Sequence, residues 1–191
     1  MSSMRLMIAV LLALLSLAVA HPSSSVAQTA PAAPSTPAAR PADVASEDAI
    51  LAALYDVISG PAGQKRDWDR MRSIFLPGAR LIPTGARAAG GFGSRVMTVD
   101  DYITSSGPYL EKEGFFEREI ARRTERFGPM THVWSTYEAR HKTSDPTPFL
   151  RGINSIQLFN DGTRWWVVSV FWAPETAAMP LPSSYLRSVI D

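Results

Sequence analysis

The chain has 191 residues, no cysteine, 19 Lys and Arg against 18 Asp and Glu, and a formal net charge of +1. These values exclude a disulfide scaffold, a thiol nucleophile and a thiolate metal centre. The interspersed charge leaves no basic groove for nucleic acid and no polybasic patch for a membrane surface, so a small ligand or a protein partner is expected.

Arg5 precedes an uncharged apolar run from Leu6 to Ala20, shorter than the roughly 20 residues needed to span a bilayer. This reads as a secretory signal peptide over residues 1–27. Small residues offer two cleavage sites, after Ala20 and after Ala27, the second keeping Pro22 away from the cut. The expected location is periplasmic or secreted, with no membrane insertion after cleavage. From 28 to 45 the composition is dominated by Pro, Ala, Ser and Thr, which reads as a disordered tether. The remaining domain, 46–176, is a common single-domain size, and 177–191, with Pro180 and Pro182, reads as a loosely attached tail.

Ser46 is a helix N-cap followed by Glu47 and Asp48, and Ile50, Leu51, Leu54, Val57 and Ile58 then recur at helical spacing. Asp67 caps a second short helix from Trp68 to Phe75, closed by Pro77-Gly78. Ala79 to Pro83 and Arg95 to Val99 read as two short strands joined by a Gly-rich loop. The loop lacks the Lys-Ser/Thr of a phosphate-binding loop, so a hairpin connection is expected. Thr98 caps a third helix through Leu110.

Gly114 to Phe127 has no decisive period, because Arg118, Arg122 and Arg126 share a face in a helix and in a strand alike. The following Gly128-Pro129 turn favours a hairpin with Thr131 to Arg140. The arginines then form either an anion site or an outer face paired with Glu residues. Thr131 to Arg140 alternates, with Ser135 and Tyr137 on the inward side and His132, Trp134 and Glu138 outward. Gly152 to Trp172 is a second hairpin, two apolar runs broken by Asn160-Asp161-Gly162.

The order of two helices, two short strands, a third helix and four longer strands, carried by WDRMRSIFLPGARLIPTG, ERFGPMTHVWSTYEAR and GINSIQLFNDGTRWWVVSVFW, resembles the NTF2-like superfamily, more narrowly its SnoaL-like and DUF4440-like bacterial members. The resemblance implies an α+β fold: a cone-shaped barrel in which a strongly bent, mostly antiparallel sheet wraps around three N-terminal helices and leaves a pocket. It also implies a possible homodimer through the outer sheet face. Function is not fixed by such a fold.

Placed on the ketosteroid isomerase pattern, the position of the base falls on Pro83 and that of the protonated acid on Ser155, so isomerase chemistry is not expected from the motif. Tyr55 approximates the oxyanion tyrosine. Pocket-lining candidates are Tyr55, Ser135, Tyr137, Asn154, Gln157, Trp166 and Trp172. On 152–159, polarity favours Asn154 inward whereas alignment favours Ser155 and Gln157, and the register stays open. His132 is a weak acid/base candidate, since its strand face points outward. No His and carboxylate set has metal-ligand spacing, and no cofactor is expected. The readings are a binder of a small, mostly apolar ligand, a SnoaL-like isomerase, dehydratase or hydrolase acting on a polycyclic or aromatic substrate, or a dimerising interaction module.

Overall fold

A computed structural model describes residues 36–187 and the backbone of Val189–Ile190. The expected signal peptide, both of its cleavage sites and the tether as far as residue 35 lie outside the described residues. No described helix is long and apolar enough to cross a membrane.

The chain enters through a short helix, α1 (Pro41–Val44), in the stretch expected to be tether. Arg70 explains the earlier start of structure. Its guanidinium donates from Nε and Nη2 to the two Asp43 carboxylate oxygens at 2.7 and 2.9 Å, and Val44 is buried in the core. Helix α2 (Glu47–Asp56) begins where expected, the Ser46 hydroxyl accepting from the Ala49 amide at 3.1 Å. Helix α3 (Trp68–Ile74) is capped by Asp67, which accepts from the Arg70 amide at 2.9 Å.

Strand β1 (Phe75–Ala86) follows at once, earlier than the expected start at Ala79. Pro77 and Gly78 lie inside it, where its register against its neighbour breaks between Phe75 and Arg80, so they bend a strand instead of ending a helix. The Gly-rich loop is the expected hairpin turn, with Gly90 and Gly91 at φ 88° and 74°, and it leads to β2 (Phe92–Ser94). The second strand therefore lies before Arg95. Met97 adds only an isolated bridge to Leu81. Helix α4 (Val99–Glu113) opens with a reciprocal Thr98–Asp101 capping box and passes beyond Leu110.

Two hairpins complete the domain, β3 (Phe116–Phe127) with β4 (Met130–Arg140) and β5 (Leu150–Asn160) with β6 (Trp165–Pro174). The sheet order is β2-β1-β6-β5-β4-β3-β7, with β7 the short segment Val189–Ile190. Neighbours are antiparallel except β1 with β6 and β3 with β7. The inner sheet face packs on α2 and α3 through Ile50, Leu51, Ile74, Val133, Ile156 and Val167, each at most 1% exposed. This is the expected α+β arrangement.

The segment of ambiguous period is a strand, and a bulge explains the ambiguity. Register shifts between Glu119 and Ala121, so the parity of β3 changes there. Arg118 lies outward on Glu138, whereas Arg122 and Arg126 turn toward the start of α2 and meet Asp48 and Glu47. The three arginines do not share a face, and all three engage acidic partners.

The C-terminal segment is not loose. Arg123 Nη2 donates to the Ser184 carbonyl at 3.0 Å, and the Thr136 hydroxyl donates to the Tyr185 carbonyl at 2.6 Å. The Tyr185 ring lies beside Trp134 and under the Arg123 guanidinium. Aromatic contact and backbone pairing with β3 hold this segment to the outer sheet face.

Candidate functional site

The end of α2 and the start of β3 are fastened together. Gly60 and Phe115 exchange both backbone hydrogen bonds, at 2.7 and 3.0 Å, and Ser59 Oγ accepts from the Glu117 amide at 3.0 Å. This clasp fixes β3 so that alternation turns Phe116 outward and Glu117 inward, beside Tyr55.

Glu117 helps to line a cavity of about 210 Å³. Helix α2 contributes Leu54, Tyr55 and Ile58, and α4 contributes Tyr102, Tyr109 and Leu110. The sheet adds Tyr137, Asn154, Val170 and Trp172. Tyr102 meets Trp172 edge to face, with ring centroids 6.2 Å apart. The Tyr137 ring lies across β5 because Gly152 has no Cβ: a Cβ there would stand 2.6 Å from the Tyr137 hydroxyl and closer still to the Ala173 carbonyl.

A chain of hydrogen bonds runs behind this wall. Ser135 Oγ donates to Glu119, so it accepts from the Tyr55 hydroxyl, 2.6 Å away. Asn154 Nδ2 donates to the Tyr55 oxygen at 3.1 Å and to Glu117 Oε1 at 3.3 Å. Asn154 thereby orients both groups. Among the described residues, Glu117 Oε2 and the hydroxyls of Tyr102 and Tyr137 have no hydrogen-bond partner, and no Lys, Arg or His lines the cavity.

Burial pushes the Glu117 carboxyl up to about 7, with the Asn154 hydrogen bond working in the opposite direction. Although Glu117 retains some accessible surface, its side chain lines the cavity, and the apolar and aromatic walls govern its titration. Burial also raises the Tyr55, Tyr102 and Tyr137 hydroxyls, and the Glu117 charge raises each further. Of the cavity's shifted groups, the carboxyl is the one brought close to neutral pH.

On the other side of Tyr55 and Glu117 lies an open groove of about 690 Å³, with Asp48, Glu119, Arg122 and Arg140 on its walls. Its arginines are already engaged: Arg122 with Glu119 at 2.7 Å and with Asp48, and Arg140 with Glu138. The groove thus offers arginines that are already paired, while Glu117, which reaches both walls, is among the described residues the one carboxyl of the smaller cavity.

Of the residues singled out from sequence, Tyr55, Tyr137, Asn154 and Trp172 lie on the cavity wall. Ser135 is fully buried but stands behind Tyr55. Three others lie elsewhere. Asn154, Ile156 and Leu158 take the buried side of β5, which puts Gln157 and Ser155 on the outer side. Trp166 lies at the start of β6, beside the β5–β6 turn, where its indole donates to Asp161 at 2.7 Å and Arg164 lies over its ring. His132 is on the outer face, 3.0 Å from Ser155 Oγ and against Trp134. Sequence reading missed Glu117. Its signal was an acid directly after Phe115-Phe116, on the alternate parity to Arg118.

No family model matches the chain, and no curated protein matches it. Among solved structures, a Nostoc punctiforme protein of unknown function with a cystatin-like fold is similar at 10% identity and TM-score 0.50, over 69% of this chain and 90% of the other. NTF2-like proteins of unknown function from Silicibacter pomeroyi and Methylobacillus flagellatus are each 13% identical, with TM-scores of 0.47 and 0.44. They cover 69% of this chain, and 94% and 95% of their own. At such identities the likeness is one of fold.

Proposed function

We propose that this chain, an α+β protein of NTF2-like fold, binds a small, mostly apolar molecule in the cone cavity, with one polar group of the ligand set against Glu117. The observation that carries this reading is the carboxyl itself. An acid that costs stability when ionised, placed among aromatic and aliphatic side chains with a single Asn donor, is explained by an occupant that meets it. The cavity is smaller than the roughly 300 Å³ at which drug-sized sites begin, so the ligand is of about one ring and a short arm.

A second reading has its own support. A carboxyl titrating near 7 is matched to proton transfer at neutral pH, and the Tyr102 and Tyr137 hydroxyls near it are available as donors. On this reading the protein is an acid–base enzyme of the SnoaL-like kind, with Glu117 as the proton carrier and Tyr55 held in place by Ser135 and Asn154. Export by the 1–27 leader and pairing of two copies through the outer sheet face remain proposals, the first supported by Arg5 and the apolar run behind it.

A thermal-shift screen of the full chain against small aromatic and alicyclic compounds tests the binding reading, since a ligand of the folded state raises Tm. A shift abolished in Trp172→Ala and altered in Glu117→Gln is the expected result. Shifts unchanged in both variants would place binding outside the cavity.

A further inference from the structure

We infer that the cavity selects a positively charged ligand, a small primary or quaternary amine carried on an apolar body, with its cation seated between Glu117 and the aromatic wall. This rests on the reading of the cavity as a ligand site and specifies the charge of what enters it.

The inference follows from counting charges and faces. Glu117 faces Tyr55 from α2, Tyr102 and Tyr109 from α4, Tyr137 from β4 and Asn154 from β5. On its own strand Glu119 is turned to Ser135 and Arg122. Among the described residues, no group of this cavity is a cation. On the groove side Glu117 shares a wall with Arg118, Arg122 and Arg140, each already paired with Glu138 or Glu119, so among the described residues no salt bridge is made to Glu117. Asn154 presents its N–H to Glu117 Oε1, an arrangement suited to an acceptor. Oε2 is left for a ligand.

The walls have the same preference. Tyr102, Tyr109, Tyr137 and Trp172 line the same cavity as the carboxyl, and the electron-rich faces of such rings attract a cation, more strongly when it is desolvated. A primary ammonium has donors only. It matches Glu117 Oε2 and the two phenol oxygens of Tyr102 and Tyr137, all of which accept. A neutral carbonyl compound would satisfy the tyrosines but leave the carboxylate uncompensated, and an anion would be repelled.

The sign of the pH dependence separates these ligands. A cation binds the ionised form of Glu117, so its apparent Kd is the intrinsic value divided by the ionised fraction. With the carboxyl titrating at about 7, affinity rises about tenfold from pH 6 to pH 8. A ligand that accepts a hydrogen bond from protonated Glu117 shows the opposite trend.

The test is calorimetric titration of the full chain at both pH values with 2-phenylethylammonium, and with 2-phenylethanol and phenylacetate as neutral and anionic matches. The amine stays charged across this range. The expected result is amine binding about tenfold tighter at pH 8, weaker binding of the alcohol, none of the acid, and loss of the pH dependence in Glu117→Gln. An amine affinity that is flat or falls with pH, measured on the unaltered protein, overturns the inference. So does an alcohol that binds tighter than the amine, and this outcome leaves the cavity reading standing. Failure of all three compounds overturns both.

Discussion

Glu117→Gln keeps the shape of the side chain and an amide oxygen for Asn154 but removes the charge. The carboxyl is shifted from a usual value of 4.5 to about 7 by burial. Between those two pH values the folded state holds a proton that the unfolded state has released, so stability falls as pH rises through this window. At about 1.4 kcal/mol per unit, the loss from pH 4.5 to pH 8 amounts to about 3 kcal/mol. This is an upper value, because water in the cavity screens the charge. Groups that titrate alike in both proteins cancel in the difference. The advantage of the Gln variant over the parent therefore grows by up to about 3 kcal/mol across that range. Urea unfolding followed by tryptophan fluorescence at pH 4.5, 6 and 8 measures it. Parallel stability curves for the two proteins would refute the claim that Glu117 lies in a desolvated site.

Three further outcomes test the surroundings. The Arg66 guanidinium donates to the carbonyls of Ile58, Pro61, Gln64, Gly60 and Leu110. Arg66→Lys cannot reproduce that fork and should lower the unfolding free energy by about 3 kcal/mol, whereas a loss under about 1 kcal/mol would show the cluster to be dispensable. Gly152→Ala forces a methyl between the Tyr137 ring and the Ala173 carbonyl and should cost about 1–3 kcal/mol in the same assay; a neutral result would mean that both the Tyr137 ring and the β6 backbone give way. Deletion of 176–191 uncovers Trp134 and should increase self-association in light scattering. A strictly monomeric truncated protein would show that this segment does not shield the face.

The fold was largely readable because its signals are local. Ser46, Asp67 and Thr98 are caps whose partners lie three residues away, and the Asp161-Gly162 turn needs only its own neighbours. The start at Pro41 was hidden because Asp43 is held by Arg70, a contact between residues far apart in sequence. The site was half readable. Tyr137 falls on the alternating inward face of its strand, Tyr55 and Trp172 came from the family resemblance, and polarity weighed Asn154 with Ile156 and Leu158, which take the buried side. The same resemblance also drew Gln157 and Trp166 inward, whereas Gln157 lies on the outer side of β5 and the Trp166 indole is turned to Asp161. Glu117 was obscured by the arginines around it, because the bulge that separates Arg118 from Arg122 and Arg126 leaves no mark in the residue types.

The parallel pairing of β1 with β6 sets an order of assembly. The hairpins β3–β4 and β5–β6 close over short turns, and Asp161 tightens the second by accepting from the Thr163 and Arg164 amides at 2.8 and 2.9 Å. Phe75 meets Val167 only after nearly half of the chain has been drawn together, which places this step late in folding. Leu81 on β1 faces the same cavity as Val170 and Trp172 on β6. A ligand lying between them bridges the seam that forms last and opens first. Its occupancy should therefore be felt most strongly in the lifetime of the native state.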